Sequence, residues 1–323
     1  MKKLYTRREL LAILTGAGLS GRRAVSASSI SPRENSKVVT ARIGKSVNLG
    51  TDQFGLMLDR AIVQLTGARN ASDAWTNLFS PNDYVSIKVN CIGGPAISTN
   101  PLLVAAVVAR LKLCGVKERR IIIWDRASRE LKEAGYRLSM GGSDIQCYGT
   151  DQVGYGNTLY EHGSVASLFS RIHTDRCTKI INMPILKDHG ICGITFALKN
   201  YFGAIHNPNK FHLNRCDPYI GELNAMKIIR EKESLIVGDM TRIQADGGPG
   251  YKSQWAINYN GIMIGRDPVA VDSAGLEILK NVRKDLGRLT LEARGLKPVY
   301  IDTAAEMGVG NRIQGEELIE LSI

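Results

Sequence analysis

Strands alternating with helices along most of the 323 residues predict an α/β protein, a largely parallel sheet flanked by helices with at least one antiparallel hairpin. Three observations carry this expectation. Short β-branched runs such as Ile121-Ile122-Ile123 and Ile180-Ile181 are followed by loops and then by segments of helical period. Four runs close on an Asn or Asp, as strands entering a turn do. Asn260-Gly261, between Trp255–Tyr259 and Ile262–Ile264, carries the signature of a two-residue hairpin turn. Composition agrees with an ordered chain, at 44% apolar and 23% charged, and the length suffices to bury a large core.

The chain opens with a basic start, a weakly apolar run from Leu10 to Leu19 and the small-residue site Val25-Ser26-Ala27, the parts of an export signal over residues 1–27. The run is too short to span a bilayer. Thr6-Arg7-Arg8-Glu9-Leu10-Leu11 resembles the twin-arginine signal. It implies export of the folded protein by the twin-arginine (Tat) translocase to the periplasm, with no transmembrane helix in the mature chain. Without these residues the formal charge falls from +11 to +6, with 36 basic residues against 30 acidic. That charge is spread without a basic block, which argues against nucleic acid and suits a small anionic molecule. Gly16-Ala17-Gly18-Leu19-Ser20-Gly21 fits a dinucleotide-loop spacing but lacks the following helix and acidic residue, so it is set aside.

After a linker over residues 28–36, residues 37–323 read as a single α/β domain. Val38 to Leu49 predicts a strand or hairpin, and Phe54, Leu58, Ala61, Ile62 and Leu65 a helix stopping at Gly67. Tyr84 to Asn90 predicts a strand entering the turn Gly93-Gly94. Thr99 or Asn100 then caps a helix that begins at Pro101 and reaches Leu113. Such a strand, glycine loop and helix can offer backbone N–H groups to an anion. Further strands are expected at Arg120–Trp124, near Ile145–Tyr148, at Lys179–Asn182 and at Ser234–Gly238, with helices near Arg129–Arg137 and Glu222–Glu231. Asp239 to Trp255 reads as a glycine-rich loop. Asp267 caps a helix starting at Pro268 and running through Leu279.

The polar groups gather in two places. Asn90, Asp125, Asn182 and Asp239 end predicted strands, where a parallel sheet binds its ligands. Lys179 to Gly203, KIINMPILKDHGICGITFALKNYFG, reads as strand, loop and then a helix from about Gly193 to Phe202. It carries Lys187, His189, Lys199 and Asn200, groups costly to bury without partners. The alternative is that the lysines reach solvent and His189 bonds a loop carbonyl. As a site, Lys187, His189 and Lys199 supply the catalytic groups. Lys88, Asn90, Gly93, Gly94, Thr99, Asn200 and Asp239 supply ligand contacts. Imidazole suits proton transfer and lysine suits carboxylate or phosphate.

Six cysteines without a CxxC spacing argue against a ferredoxin-type cluster or zinc ribbon, and most should be buried thiols. His206, His212 and Cys216 lie close in sequence, which makes His206 and His212 candidate ligands of a transition metal.

Asn182 to Gly203, together with Ile87–Gly94, Ser98–Val108 and Gly265–Gly275, resembles the bacterial and archaeal family known as domain of unknown function 362. The likeness spans about residues 83–280. It implies an α/β fold without defining an activity. A more distant likeness joins His189, Gly193, Lys199 and Gly203 to the active-site stretch of the nickel-pincer lactate racemase family. That likeness implies a proton-transferring His189, a Lys199 contacting a nickel-bearing nucleotide, and His206 or His212 as a nickel ligand. The expectation is an exported enzyme binding a small anionic substrate or cofactor, with isomerase-like proton transfer. The alternatives are a non-catalytic metal- or cofactor-binding accessory protein and a redox partner.

Overall fold

The structure, a computed structural model, describes residues 36–44, 47, 49–313 and 315–323; the predicted export signal and all but the last residue of the linker lie outside them. In chain order the strands are β1 (Val38–Arg42), β2 (Val85–Lys88), β3 (Ile121–Trp124), β4 (Gln146–Cys147), β5 (Tyr160–His162), β6 (Val165–Ser167), β7 (Lys179–Asn182), β8 (Ile185–His189), β9 (Gly193–Thr195), β10 (Glu233–Gln244), β11 (Ala256–Gly265) and β12 (Leu318–Ser322). The helices are α1 (Thr51–Thr66), α2 (Ala71–Leu78), α3 (Pro101–Leu113), α4 (Ser128–Glu133), α5 (Arg171–Asp175), α6 (Ala197–Asn200), α7 (Tyr219–Ala225), α8 (Lys227–Arg230), α9 (Pro268–Asp285) and α10 (Tyr300–Glu306).

One sheet runs in the order β12-β1-β11-β10-β7-β2-β3-β4, with β8 pairing beside β10 and β9 folding back on β8. The pairs β10/β7, β7/β2, β2/β3 and β3/β4 are parallel, whereas β1/β11 and β11/β10 are antiparallel. The central strand β3 is an uninterrupted apolar run, and β2 is buried along its length, because both faces of the sheet are covered. On one face Phe54, Met57 and Ile62 of α1 and Val107 and Leu111 of α3 pack on Val85, Ile87 and Val237. On the other, Val271 and Leu279 of α9 pack with Leu186, Phe196, Ile236 and Met263. Each such side chain contributes about 1.5–3 kcal/mol when fully buried.

The helix ends follow the capping signals. Asn100 accepts from the Leu102 N–H, and Asp267 accepts from the N–H groups of Val269 and Ala270 at 2.8 and 3.0 Å. Gly67 closes α1 at φ 69°, a conformation that glycine adopts without steric cost.

From β2 the chain moves outward through β3 to β4, then returns to β7 on the other flank of β2. Between β2 and β7 the direction of winding therefore reverses. In an open α/β sheet such a reversal leaves a crevice beyond the carboxyl ends of the strands. Lys88, Asp125 and Asn182 stand at or just after those ends.

Several expectations change. The helix expected from Gly193 to Phe202 begins as strand β9, and only Ala197–Asn200 is α-helical. The expected loop with Lys187 and His189 is strand β8, parallel to the outer half of β10. Asp239 lies inside β10, which runs on to Gln244. The antiparallel hairpin of β10 and β11 exists, but its connection is Ala245 to Trp255 rather than Asn260-Gly261. There β11 continues straight through: Met240 faces Gly261 and Arg242 faces Asn258, so Asn260 at φ 55° is the extra residue of a bulge. Met226, extended at φ −62° and ψ 131°, splits the helix expected over Glu222–Glu231 in two. Helix α2 and the pair β5/β6 were not anticipated.

Candidate active site

Strand alternation explains how β8 feeds the crevice. Successive side chains of a strand point to opposite faces, so Ile185, Lys187 and His189 share one face and Leu186 and Asp188 the other. Met183 and Pro184 end the pairing of β7, and Pro184 accepts the Asp239 N–H through its carbonyl, which lets β8 resume beside β10. The chain then turns through Gly193 into β9 and reaches α6. Asp272 of α9 caps this one-turn helix by accepting the N–H of Ala197 at 2.7 Å, and so fixes Lys199 and Asn200.

A cavity of about 620 Å³ lies beyond the strand ends. Its wall includes Lys88, Asn90, Asp125, Arg126, Glu130, His189, Thr195, Lys199, Asn200, Phe202 and His212, with Gly248-Pro249 of the β10–β11 connection. One part of this wall is fully paired. Lys88 Nζ donates to Asp125 Oδ1 and to the Val89 carbonyl, each at 2.7 Å, and to Asn200 Oδ1 at 3.4 Å. The other Asp125 oxygen accepts the Cys91 N–H at 2.7 Å. Asn200 donates to Asn182 Oδ1 at 2.8 Å and to the Lys88 carbonyl at 3.2 Å. A Cβ on Gly203 would sit 2.8 Å from Lys88 Nζ and 3.0 Å from Asp125, so only glycine lets this turn close over the pair.

The other part is not paired. Lys199 is only 6% exposed, yet its Nζ meets an imidazole nitrogen, His212 Nε2 at 3.1 Å, and the ring of Phe202, 3.8 Å from its centroid. Among the described residues no carboxylate forms an ion pair with it. Burial lowers the Lys199 pKa from its usual value, an effect only partly opposed by the sulfurs of Cys192 and Cys216.

The two histidines are fixed in different tautomers. Nδ1 of His212 lies 3.2 Å from the Pro208 carbonyl, which only accepts, so Nδ1 carries the proton and Nε2 offers its lone pair to Lys199. Nδ1 of His189 accepts the backbone N–H groups of Ile191 and Cys192 at 3.2 and 3.4 Å, which leaves the proton on Nε2. Burial, reinforced by the nearby Lys199, drives the His189 pKa down to about 3. His189 is therefore a neutral hydrogen-bond donor near neutral pH. Its ring stacks on that of His212 at 5.8 Å between centroids.

A family profile described as Domain of unknown function (DUF362) matches residues 85–277, well over half of the chain. The chain belongs to this family. No curated protein sequence matches it. Among solved structures it is similar to a structural-genomics target protein from Thermotoga maritima, at 10% identity and TM-score 0.47, over 73% of this chain and 59% of that one. It is also similar to the lactate racemase apoprotein from Thermoanaerobacterium thermosaccharolyticum, at 14% identity and TM-score 0.41, over 76% of this chain and 57% of that one. The chain thus covers less than two thirds of either protein.

In this member of the DUF362 family, six of the residues read from the sequence meet at the cavity: Lys88, Asn90, His189, Lys199, Asn200 and His212. The others support it from behind. Lys187 donates to the carbonyls of Ile92 and Ile97, strapping the glycine turn, and is absent from the cavity wall. Gly93 and Gly94, at φ 114° and 87°, form that turn, and a Cβ on Gly93 would meet the Pro249 carbonyl at 2.5 Å. Thr99 bridges the Asn90 N–H and the Met183 carbonyl. Asp239 accepts the N–H groups of Asn100 and Thr241, both at 2.7 Å. These five are engaged in contacts within the protein and do not line the cavity. His206 is exposed, packs its ring on Tyr155 and does not line the cavity. The expected pairing of His206 with His212 around a metal therefore does not assemble, and among the described residues no three His, Cys, Asp or Glu side chains converge as metal ligands. All six cysteines are buried free thiols.

Sequence reasoning missed Thr195, Phe202 and the Arg126/Glu130 pair on the wall, and treated Asp125 as a strand end only. The position of Asp125 directly after β3 was the available signal.

Proposed function

We propose that this DUF362 protein is an enzyme that binds a small organic anion in the cavity and moves a proton on it. Lys199 carries the proposal. It is a buried amine facing the cavity with no carboxylate partner among the described residues, whereas Lys88 on the same wall is fully matched by Asp125. Counted as charges, Lys88, Arg126 and Lys199 exceed Asp125 and Glu130 by one, and the excess lies at Lys199. A single negative group on a ligand would neutralise it. Two wall residues, Asn90 and Thr195, also carry a buried polar atom, Oδ1 and Oγ1, without a hydrogen-bond partner among the described residues.

The chemistry follows from the tautomers. His212 Nε2 and Lys199 Nζ share one proton over 3.1 Å, which makes them the proton-exchanging pair. His189, held neutral, presents Nε2–H as an electrophile that steadies negative charge developing on a substrate oxygen. The sequence-based role of His189 as acid/base is thereby reassigned to a donor, and the base role passes to His212.

The test is a thermal-shift screen of short organic acids, followed by turnover assays of the hits with His189→Asn. The enzyme reading expects turnover to fall while the acid still binds; unchanged turnover would remove the role given to His189, and binding without turnover of any hit would favour a non-catalytic carrier. We also propose export by the twin-arginine route from Arg7 and Arg8. An Arg7→Lys, Arg8→Lys double variant should then stay in the cytoplasmic fraction. No helix among the described residues is long and apolar enough to cross a membrane.

A further inference from the structure

We propose that Lys199 is a covalent attachment site, holding a carbonyl-bearing organic anion such as a 2-oxo acid or an aldehyde acid as an imine. The inference rests on the reading of the cavity as an anion site and adds what the anion must carry.

The two cavity lysines differ in what holds their nitrogen. Lys88 has three oxygen acceptors around Nζ, one of them a carboxylate, and these engage its donors within the protein. Lys199 has one nitrogen acceptor and an aromatic face. Burial without a counter-ion favours the neutral amine, the form in which lysine attacks carbonyl carbon. His212 Nε2, 3.1 Å away with its lone pair free, can take the proton that Nζ must lose as the new bond forms. His189 Nε2–H, on the same wall, can donate to the carbonyl oxygen as charge builds there.

The step balances without an oxidant or reductant. The Nζ lone pair attacks the carbonyl carbon and the carbon–oxygen π pair moves to oxygen. Nζ passes one proton to His212. His212 returns that proton to the oxygen, a second proton comes from solvent, and the nitrogen lone pair expels the oxygen as water. The sum is amine, carbonyl and one proton giving a protonated imine and water. That imine is again a cation, so the excess charge of the wall remains opposite the ligand's carboxylate. An imine also acidifies the adjacent C–H, which is the proton a neutral imidazole could exchange.

The test uses the whole chain. Glyoxylate or pyruvate is added with cyanoborohydride, which fixes an imine as a stable amine, and the labelled lysine is found by peptide mapping. The proposal expects one adduct per chain, on Lys199 before any other lysine, slowed on the order of 100-fold by His212→Asn and abolished by Lys199→Arg. Mapping of the unmodified sequence is decisive even if a variant misfolds. Labelling scattered over surface lysines, with none on Lys199, overturns the proposal. Glycolate and propionate, which have no carbonyl, are run beside it by thermal shift. If they stabilise the protein and glyoxylate leaves no adduct on Lys199, the imine falls and the anion site stands. If the acids do not stabilise it and no adduct forms, both fall.

Discussion

Lys88 and Lys199 reach one cavity from different layers of the fold, the first at the end of a central strand and the second on a one-turn helix. The surroundings of Lys88 are complete: a carboxylate at 2.7 Å, a carbonyl, an asparagine and a glycine that leaves room for them. Those of Lys199 are not, since burial is nearly as deep but the partners are an imidazole and a phenyl ring. The difference separates a lysine that builds the site from one that works in it. A buried charge that is paired belongs to the fold, and a buried amine left without a counter-ion is costly unless something else completes it.

The largest effect should come from breaking the complete side. Lys88→Met leaves Asp125 buried and unpaired, and urea unfolding should show a loss of about 3–5 kcal/mol. The same change at Lys199 should leave the urea midpoint unchanged or raised, because no opposite charge is orphaned. If both substitutions destabilise equally, the contrast is lost. Next in size, His189→Asn should lower kcat by roughly 100- to 1,000-fold with affinity nearly constant, as removal of a preorganised donor does.

Smaller again is the binding effect of Lys199→Met, which should weaken a bound organic acid by roughly 10- to 100-fold in calorimetry. The pH dependence has a definite sign. The Lys199 pKa is depressed in the free protein by burial, and an anion beside Nζ restores the ammonium, so binding takes up a proton. Affinity should therefore fall as pH rises above the depressed value, by up to about tenfold per pH unit, and the slope should vanish in Lys199→Met. The smallest effect is expected for Thr195→Val, which removes a hydroxyl without a partner among the described residues. Stability should hold or rise slightly while ligand affinity drops by about 1 kcal/mol.

The sequence made the middle of the sheet legible because parallel strands covered on both faces carry β-branched runs such as Ile121–Ile123 and Ile180-Ile181, and Ile121–Trp124 and Lys179–Asn182 were read almost to their ends. Helix starts were legible where Asn100-Pro101 and Asp267-Pro268 combine cap and first-turn proline. What escaped depends on distant pairing. β8 follows Met183-Pro184, carries Lys, Asp and His, and becomes a strand only because β10 lies beside it. Asn260 has the positive φ that a hairpin turn needs, but a bulge needs it too, and the register with β10 decides between them. For the site, residue chemistry singled out Lys88, Asn90, His189, Lys199 and Asn200, which the fold brings to one cavity wall. It could not assign their roles, because the partner of Lys88 comes from the neighbouring strand and that of Lys199 from a turn after the helix. Lys187 shows the same limit: nothing local says that its amine ends on the carbonyls of Ile92 and Ile97.

The central claim is that Lys199 is a buried amine without a carboxylate partner among the described residues, and a site-resolved titration tests it most directly. With lysine labelled at the ε position and Lys199→Arg used for assignment, NMR should show the Lys199 signal titrating below the ordinary lysine value of about 10.5 and moving upward when a bound organic acid is added. A Lys199 signal that titrates at or above that value, and does not respond to any organic acid, would contradict the account.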